Sequence, residues 1–181
     1  MDKSATDRLD KLKEAADSGD PSAQFEYSES LDAELKIDQP HDDVIRYLRL
    51  SAEQGYTDAQ HRLGSRYHYG LYVPQNYSQA VRWLALAAEK GKPEAQNELG
   101  FMYSEGLGVK RSDAISTMWF LKAAENGLPE AMYNIGCCYL EGKGVERSLP
   151  EAARWFVDAA QNGDKEAIEV LKEMIKDIGN D

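Results

Sequence analysis

The chain is short of bases. Lys and Arg number 21 against 32 Asp and Glu, a net charge of −11 over 181 residues. Nucleic acid and anionic membrane surfaces demand a cationic excess to neutralise phosphate, so both are excluded as expected partners. Long apolar runs are missing too. The longest, WLALAA at Trp83 to Ala88, is far short of a bilayer span. The opening MDKSATDRLDKLKEA has no apolar segment of the kind that leads a secreted chain. Cysteine is scarce. Cys137 and Cys138 are neighbours, a poor arrangement for a structural staple, and the expected compartment is the reducing cytoplasm. Histidines are only His41, His61 and His68, which limits acid–base and metal chemistry. What remains is a foldable composition, 42% hydrophobic and 29% charged, long enough for one domain with a real core.

What the chain has in abundance is itself. The string AAEKGKPEAQNELG, Ala87 to Gly100, returns as AAENGLPEAMYNIG at Ala123 to Gly136. The closing glycines of AADSG, SAEQG, AAEKG, AAENG and AAQNG are Gly19, Gly55, Gly91, Gly127 and Gly163, each 36 residues from the next. Ala23, Ala59, Ala95, Ala131 and Ala167 keep the same step, as do Gly64, Gly100 and Gly136, then Tyr67, Tyr103 and Tyr139. All three tryptophans, Trp83, Trp119 and Trp155, fall in one column. A fixed period of this length marks stacked supersecondary units.

Each period carries two helical patterns. Ala59, Leu63 and Tyr67 form one stripe. Pro21, Pro93 and Pro129 stand in its first turn, where a missing N–H costs nothing. Asp58, Glu94 and Glu130 favour the same helix end. The second helix follows the N-cap residues Asn76, Ser112 and Ser148; its stripe is Ala80, Trp83, Leu84, Ala87 and Ala88, and Gly91 stops it. Small residues at 64, 100 and 136 let helices approach closely, and the Tyr and Trp columns are expected to fill the space beside them.

These columns resemble the Sel1-like repeat, a relative of the tetratricopeptide repeat. AQNELGFMYSEGLGV with Trp119 and AAENG, and AMYNIGCCYLEGKGV with EAARW and AAQNG, match its pattern closely. The second repeat departs at Tyr72, where glycine is usual. The first is degenerate, with Tyr27, Ser28, Leu31, Glu34 and Lys36 at the motif positions. The resemblance implies an all-α fold, a right-handed α-solenoid of 36-residue helix–turn–helix repeats. One domain is expected over 1–181, with repeats at 20–55, 56–91, 92–127 and 128–163 between capping helices at 1–19 and 164–181. Those capping helices are expected at about Ala5 to Ser18 and Lys165 to Asp177.

Chemistry finds little support. His61 and His68 could share a helix face with Asp58 nearby, but no third strong ligand has metal-site spacing. The adjacent cysteines read as small packing residues facing different ways. The loops GLGV and GKGV lack the Lys-Ser/Thr of a phosphate loop and recur with the repeat. Lys110 and Arg111, like Glu146 and Arg147, read as solvated loop charges. No catalytic residue, cofactor or metal is expected, and the protein is read as a non-enzyme.

In the tetratricopeptide fold the first helix of each hairpin lines the concave face. Carried over by register, that face collects Phe25, His61, Asn97 and Tyr133; then Glu29 and Phe101; then His68 and Leu140, flanked by Tyr69, Glu105 and Glu141; with Asp58 and Glu94 near the helix starts. The expected groove is acidic with aromatic inserts. It suits a protein or peptide partner with a basic face. The function expected is a bacterial, cytoplasmic protein-binding module, monomeric or weakly dimeric. One version is an immunity protein neutralising a cognate toxin. The alternatives are an adaptor in envelope or signalling regulation, or a β-lactam-binding hydrolase, against which the missing cysteine pattern of that branch counts.

Overall fold

The computed structural model describes residues 3–34 and 42–179. Among the described residues there are ten helices and no strand: α1 (Lys3–Asp17), α2 (Pro21–Glu34), α3 (Asp42–Glu53), α4 (Thr57–Tyr69), α5 (Tyr77–Glu89), α6 (Pro93–Glu105), α7 (Asp113–Glu125), α8 (Pro129–Glu141), α9 (Leu149–Gln161) and α10 (Lys165–Gly179). Both outer helices fall within two residues of expectation. The loop of the degenerate first repeat lies largely outside the described residues. Two compact units divide the chain, the first ending at Lys90 and the second starting at Gly91.

Within each unit, consecutive helices pack on one another: α1 to α5 in the first, α6 to α10 in the second. The same local chemistry sets the ends each time. Asn76, Ser112 and Ser148 accept from the backbone N–H groups of Gln79, Ile115 and Glu151, worth about 1 kcal/mol each. The N–H of each cap residue in turn donates to the Tyr column, Asn76 to Tyr67 O, Ser112 to Tyr103 O and Ser148 to Tyr139 O, all at 2.9 Å. Each of these three hairpin loops is therefore closed by one repeated pair of bonds.

The core sits between paired helices, and here the sequence reading needs correction. An alanine Cβ at Gly136 would lie 2.7 Å from the ring of Phe156, and at Gly100 2.7 Å from Phe120. The side chains that enter the glycine gaps are thus Leu84, Phe120 and Phe156, one residue beyond the tryptophans. Phe156 is fully buried. Trp119 and Trp155 are only half-buried and carry a cation on their outer faces, Lys122 Nζ at 4.3 Å and the Arg154 guanidinium at 5.9 Å from the ring centres. A one-residue step on a helix rotates a side chain by about 100°, enough to move Trp119 and Trp155 from the gap to its edge, whereas Trp83 is buried in the core with Leu48, Ala52, Ala59 and Leu63.

Candidate partner-binding site

In the second unit, α6, α7 and α8 enclose a cleft of about 170 Å³. Its floor is Phe120, Ser116 and Thr117 from α7 and Cys138 from α8, all buried. Its rim holds Phe101 and Glu105 from α6, Glu141 from α8, and the loop residues Arg111 and Lys143. Phe101 is 46% exposed, a large apolar side chain held at the mouth. The Thr117 hydroxyl donates to Lys143 O at 2.8 Å, which fixes the α8–α9 loop over the start of α7. Only glycine allows that approach. Gly144 has φ 71°, and a Cβ there would collide with Asp113 O and sit 2.6 Å from Thr117 Oγ1.

Three carboxylates border the cleft, and two are spoken for. Lys143 Nζ lies 2.5 Å from Glu141 and Arg111 Nε 3.2 Å from Asp113. Glu105 forms no ion pair among the described residues; its recorded contact is Ser104 Oγ at 3.4 Å. The hydrogen bond to Glu141 raises Lys143 above the ordinary lysine range. Burial pushes the thiols of Cys137 and Cys138 up, each against a hydrogen bond that works the other way, from Tyr133 and Thr117 respectively. Tyr133 is pushed up to about 12, first by Cys137 and then by burial. Every one of these shifts favours the protonated form, so none creates a better nucleophile or base. No group of three or more potential ligands able to hold a metal ion occurs among the described residues.

The corresponding face of the first unit is already neutralised. Arg62 pairs with Glu29 at 2.7 Å. Arg66, buried on α4, pairs with Asp32 of α2. The ring of Tyr72 covers the Arg66 guanidinium at 4.6 Å, and the phenol is raised by burial and by its bond to Asp32. Beside this lies a groove of about 520 Å³ between α1 and α2, where Phe25 and Glu29 face Arg8 and Lys11.

The thirteen residues expected to bind a partner are divided by this arrangement. The cleft brings together Phe101, Glu105 and Glu141, and the groove Phe25 and Glu29. Asp58 and His61 are half-buried on α4, and Glu94 is exposed beside Lys92 at 3.4 Å. Tyr69 is 60% exposed and stacks on His68. His68 itself is buried, with Tyr77 on its edge. Asn97 is buried and accepts from Asn134 Nδ2 at 2.9 Å. Tyr133 and Leu140 are half-buried and pack toward α9. Sequence reading missed Ser116 and Thr117, because only first helices were carried over, and Asn134, which lies on a first helix but outside the carried-over rows. The signal was present: Ser116 shares its column with Val44, Ala80 and Ala152, a polar residue in an apolar row. Arg111, read as a solvated loop charge, is exposed in its loop and also lines the cleft.

No described helix is long and apolar enough to cross a membrane. Comparison with curated proteins gives no match. Among solved structures, the chain is similar to a protective antigen present in uropathogenic Escherichia coli strains displaying an SLR fold, with 41% identity, TM-score 0.88, and 92% of this chain and 36% of that one covered. It is similar to a Sel1 repeat protein from Oxalobacter formigenes, with 28% identity, TM-score 0.82, and 90% and 65% covered. It therefore spans about a third of the first and about two thirds of the second. An immunity protein from Pseudomonas aeruginosa shares the fold at 18% identity and TM-score 0.56, with 88% and 59% covered. The family model described as Sel1 repeat matches residues 45–56, 57–92, 93–128 and 129–164. The chain belongs to the Sel1 repeat family, all-α solenoid proteins that generally mediate protein–protein interaction as non-catalytic scaffolds.

Proposed function

We propose that this protein is a non-catalytic, cytoplasmic interaction module that holds a protein or peptide partner with a basic face, and that the second unit's cleft is a principal contact. The observation that carries this reading is the pairing at the cleft mouth of an exposed aromatic, Phe101, with a carboxylate, Glu105, that forms no ion pair among the described residues. Aromatic anchors supply much of the energy of interfaces, and unpaired acids steer basic partners. The net charge of −11 acts in the same direction and against nucleic acid or anionic lipid. Upward-shifted thiols and tyrosine in and beside the cleft support a binding role over a hydrolytic one.

An immunity protein capping a basic toxin is the specific version put forward; the fold is compatible, since an immunity protein shares it. The alternative is an adaptor making weaker, peptide-like contacts. The test is a pull-down from the source organism's lysate with wild type and a Phe101→Ala/Glu105→Lys variant shown by circular dichroism to stay folded. A partner retained by wild type and lost by the variant supports the reading, and its identity separates toxin from regulator. Equal retention by both moves the site elsewhere.

A further inference from the structure

The repeat leaves one helix position of the first unit open. In each hairpin the second helix puts a side chain into a gap on the first: Leu84 beside Gly64, Phe120 beside Gly100 and Phe156 beside Gly136. Leu12 of α1 stands in the same column. No first helix precedes α1 among the described residues, and Leu12 is half-buried where Leu84 and Phe156 are fully buried. The second cue is on α2. Later first helices reach back to the first helix before them, α4 from Arg62 to Glu29 and from Arg66 to Asp32, and α8 from Asn134 to Asn97. The α2 residues in the columns of Arg62 and Arg66 are Glu26 and Ser30. Their bonds stay on their own helix, Ser22 to Glu26 at 3.4 Å and Ser30 to Glu26 O at 2.8 Å. Both line the groove of about 520 Å³ between α1 and α2, over Leu12, Ala15 and Phe25, with Arg8 and Lys11 on its α1 edge. Arg8, Lys11 and Glu26 are exposed and form no ion pair among the described residues, whereas nearby Lys13 has Asp17 and Glu29 has Arg62. A terminal helix that only met water would be polar throughout its outer face; this one keeps an apolar floor between unpaired charges.

We propose that this groove seats one amphipathic α-helix of a partner protein, in the place of a hairpin's first helix. The register states what that helix carries. The gap column holds Ser28, Gly64, Gly100 and Gly136, so the seated helix presents a small residue to Leu12. Arg62 reaches Glu29, one residue after Ser28; Glu26, in the Arg62 column, therefore calls for a cation one residue after the small one. Hairpin helices run antiparallel, since Tyr67 O accepts from Asn76 N while Gly64, nearly a turn earlier, lies against Leu84, two turns on. Arg8, one turn before Leu12, thus faces the last turn of the seated helix, where a carboxylate and the negative end of the helix dipole both suit it. The chemistry is a small residue, a basic one next to it and an acidic one about a turn later. The α10 helix of a second copy does not meet it, because Lys172 stands in the small column. This site belongs to the first unit and does not depend on the cleft of the second.

The probe is the 13-residue sequence of α6 with Phe101→Lys, acetyl-PEAQNELGKMYSE-amide, which has the small and basic residues in place and Glu105 in its last turn. Its control carries Gly100→Leu as well, a change that favours the helix but fills the gap. Each peptide is titrated into the ¹⁵N-labelled protein by NMR to ~2 mM, the range suited to a short helix that folds as it binds. The expected result is saturable shifts at Leu12, Ala15, Phe25 and Glu26, with binding at least about tenfold weaker for the control peptide. Arg8→Glu, an exposed change that leaves the fold intact, should weaken the first peptide several-fold. Equal or tighter binding of the control would make the groove an unspecific apolar trough and overturn the proposal. So would shifts indifferent to Arg8→Glu, or no saturable shift. Groove shifts on concentrating the protein alone would give the site to a second copy and overturn the partner assignment.

Discussion

The two units answer one structural question with opposite chemistry. At one column of the first helices the first unit has Arg66 and the second has Met102 and Cys138. The apolar pair needs nothing further. Arg66 needs a carboxylate, and Asp32 supplies it from α2 where the next repeats have His68, Ser104 and Leu140. It also needs a lid, and Tyr72 supplies it from a left-handed φ of 62° where the later loops have Gly108 and Gly144. Three departures from the repeat pattern are therefore one device. Tyr72 bears a backbone cost of about 1–2 kcal/mol, offset by its stacking on the guanidinium and its bond to Asp32. The consequence for binding is direct: around Arg66 the first unit spends its charges on itself, and the second leaves Glu105 over.

The sharpest way to break this contrast is Arg66→Met alone, which strands Asp32 and should cost about 3 kcal/mol in urea denaturation. The triple change Asp32→Ser, Arg66→Met and Tyr72→Gly, which copies the third repeat, should come within about 1 kcal/mol of wild type, because it removes the whole device rather than half of it. If the single and triple variants lose equally, the three residues are not coupled.

Next in size is Gly136→Ala, whose methyl meets the ring of Phe156 at 2.7 Å. Overpacking of a filled gap should cost about 2 kcal/mol, with Gly100→Ala alike. A loss below about 0.5 kcal/mol would mean that the gap can widen. Asn76→Ala in the first unit and Ser112→Ala in the second should each cost about 1 kcal/mol; equality would show that the caps, unlike the charges, are common property of the units.

The smallest effect touches rate and not stability. Because burial raises the Cys137 thiol, its thiolate fraction at pH 8 is below that of a free cysteine, and alkylation by iodoacetamide should be correspondingly slow. The rate should keep climbing through pH 9; a plateau below that pH would contradict the raised value. Cys138, also raised but more deeply buried, should react more slowly still.

Most of the fold could be read from the chain because its cues recur. One proline, one cap residue and one glycine reappear at a fixed step, and each acts locally through backbone geometry that needs no neighbour. The site was less legible. Phe101, Glu105 and Glu141 came from register alone, and they do meet at the cleft. Ser116 and Thr117 did not, since their role depends on which faces of α6, α7 and α8 converge. Arg66 was passed over for the opposite reason: a charged residue reads as surface, and only the partner on another helix explains its burial. The glycine gaps were anticipated, yet tryptophan drew the assignment that belongs to Phe120 and Phe156, because column identity says nothing about rotation by a single residue.

The glycine at each joint between hairpins differs in kind from the glycine beside Phe156. A Cβ at Gly127 would meet nothing within 4 Å, yet φ is 86°. That residue supplies no room; it supplies an absence of chirality. A D-alanine, introduced by chemical ligation, should be accepted at Gly127 and even favoured through a stiffer unfolded chain, where L-alanine is refused. At Gly136 D-alanine offers no such escape, since a D-residue opposes the right-handed helix around it. The period of this protein is in that sense counted out by points where handedness is suspended.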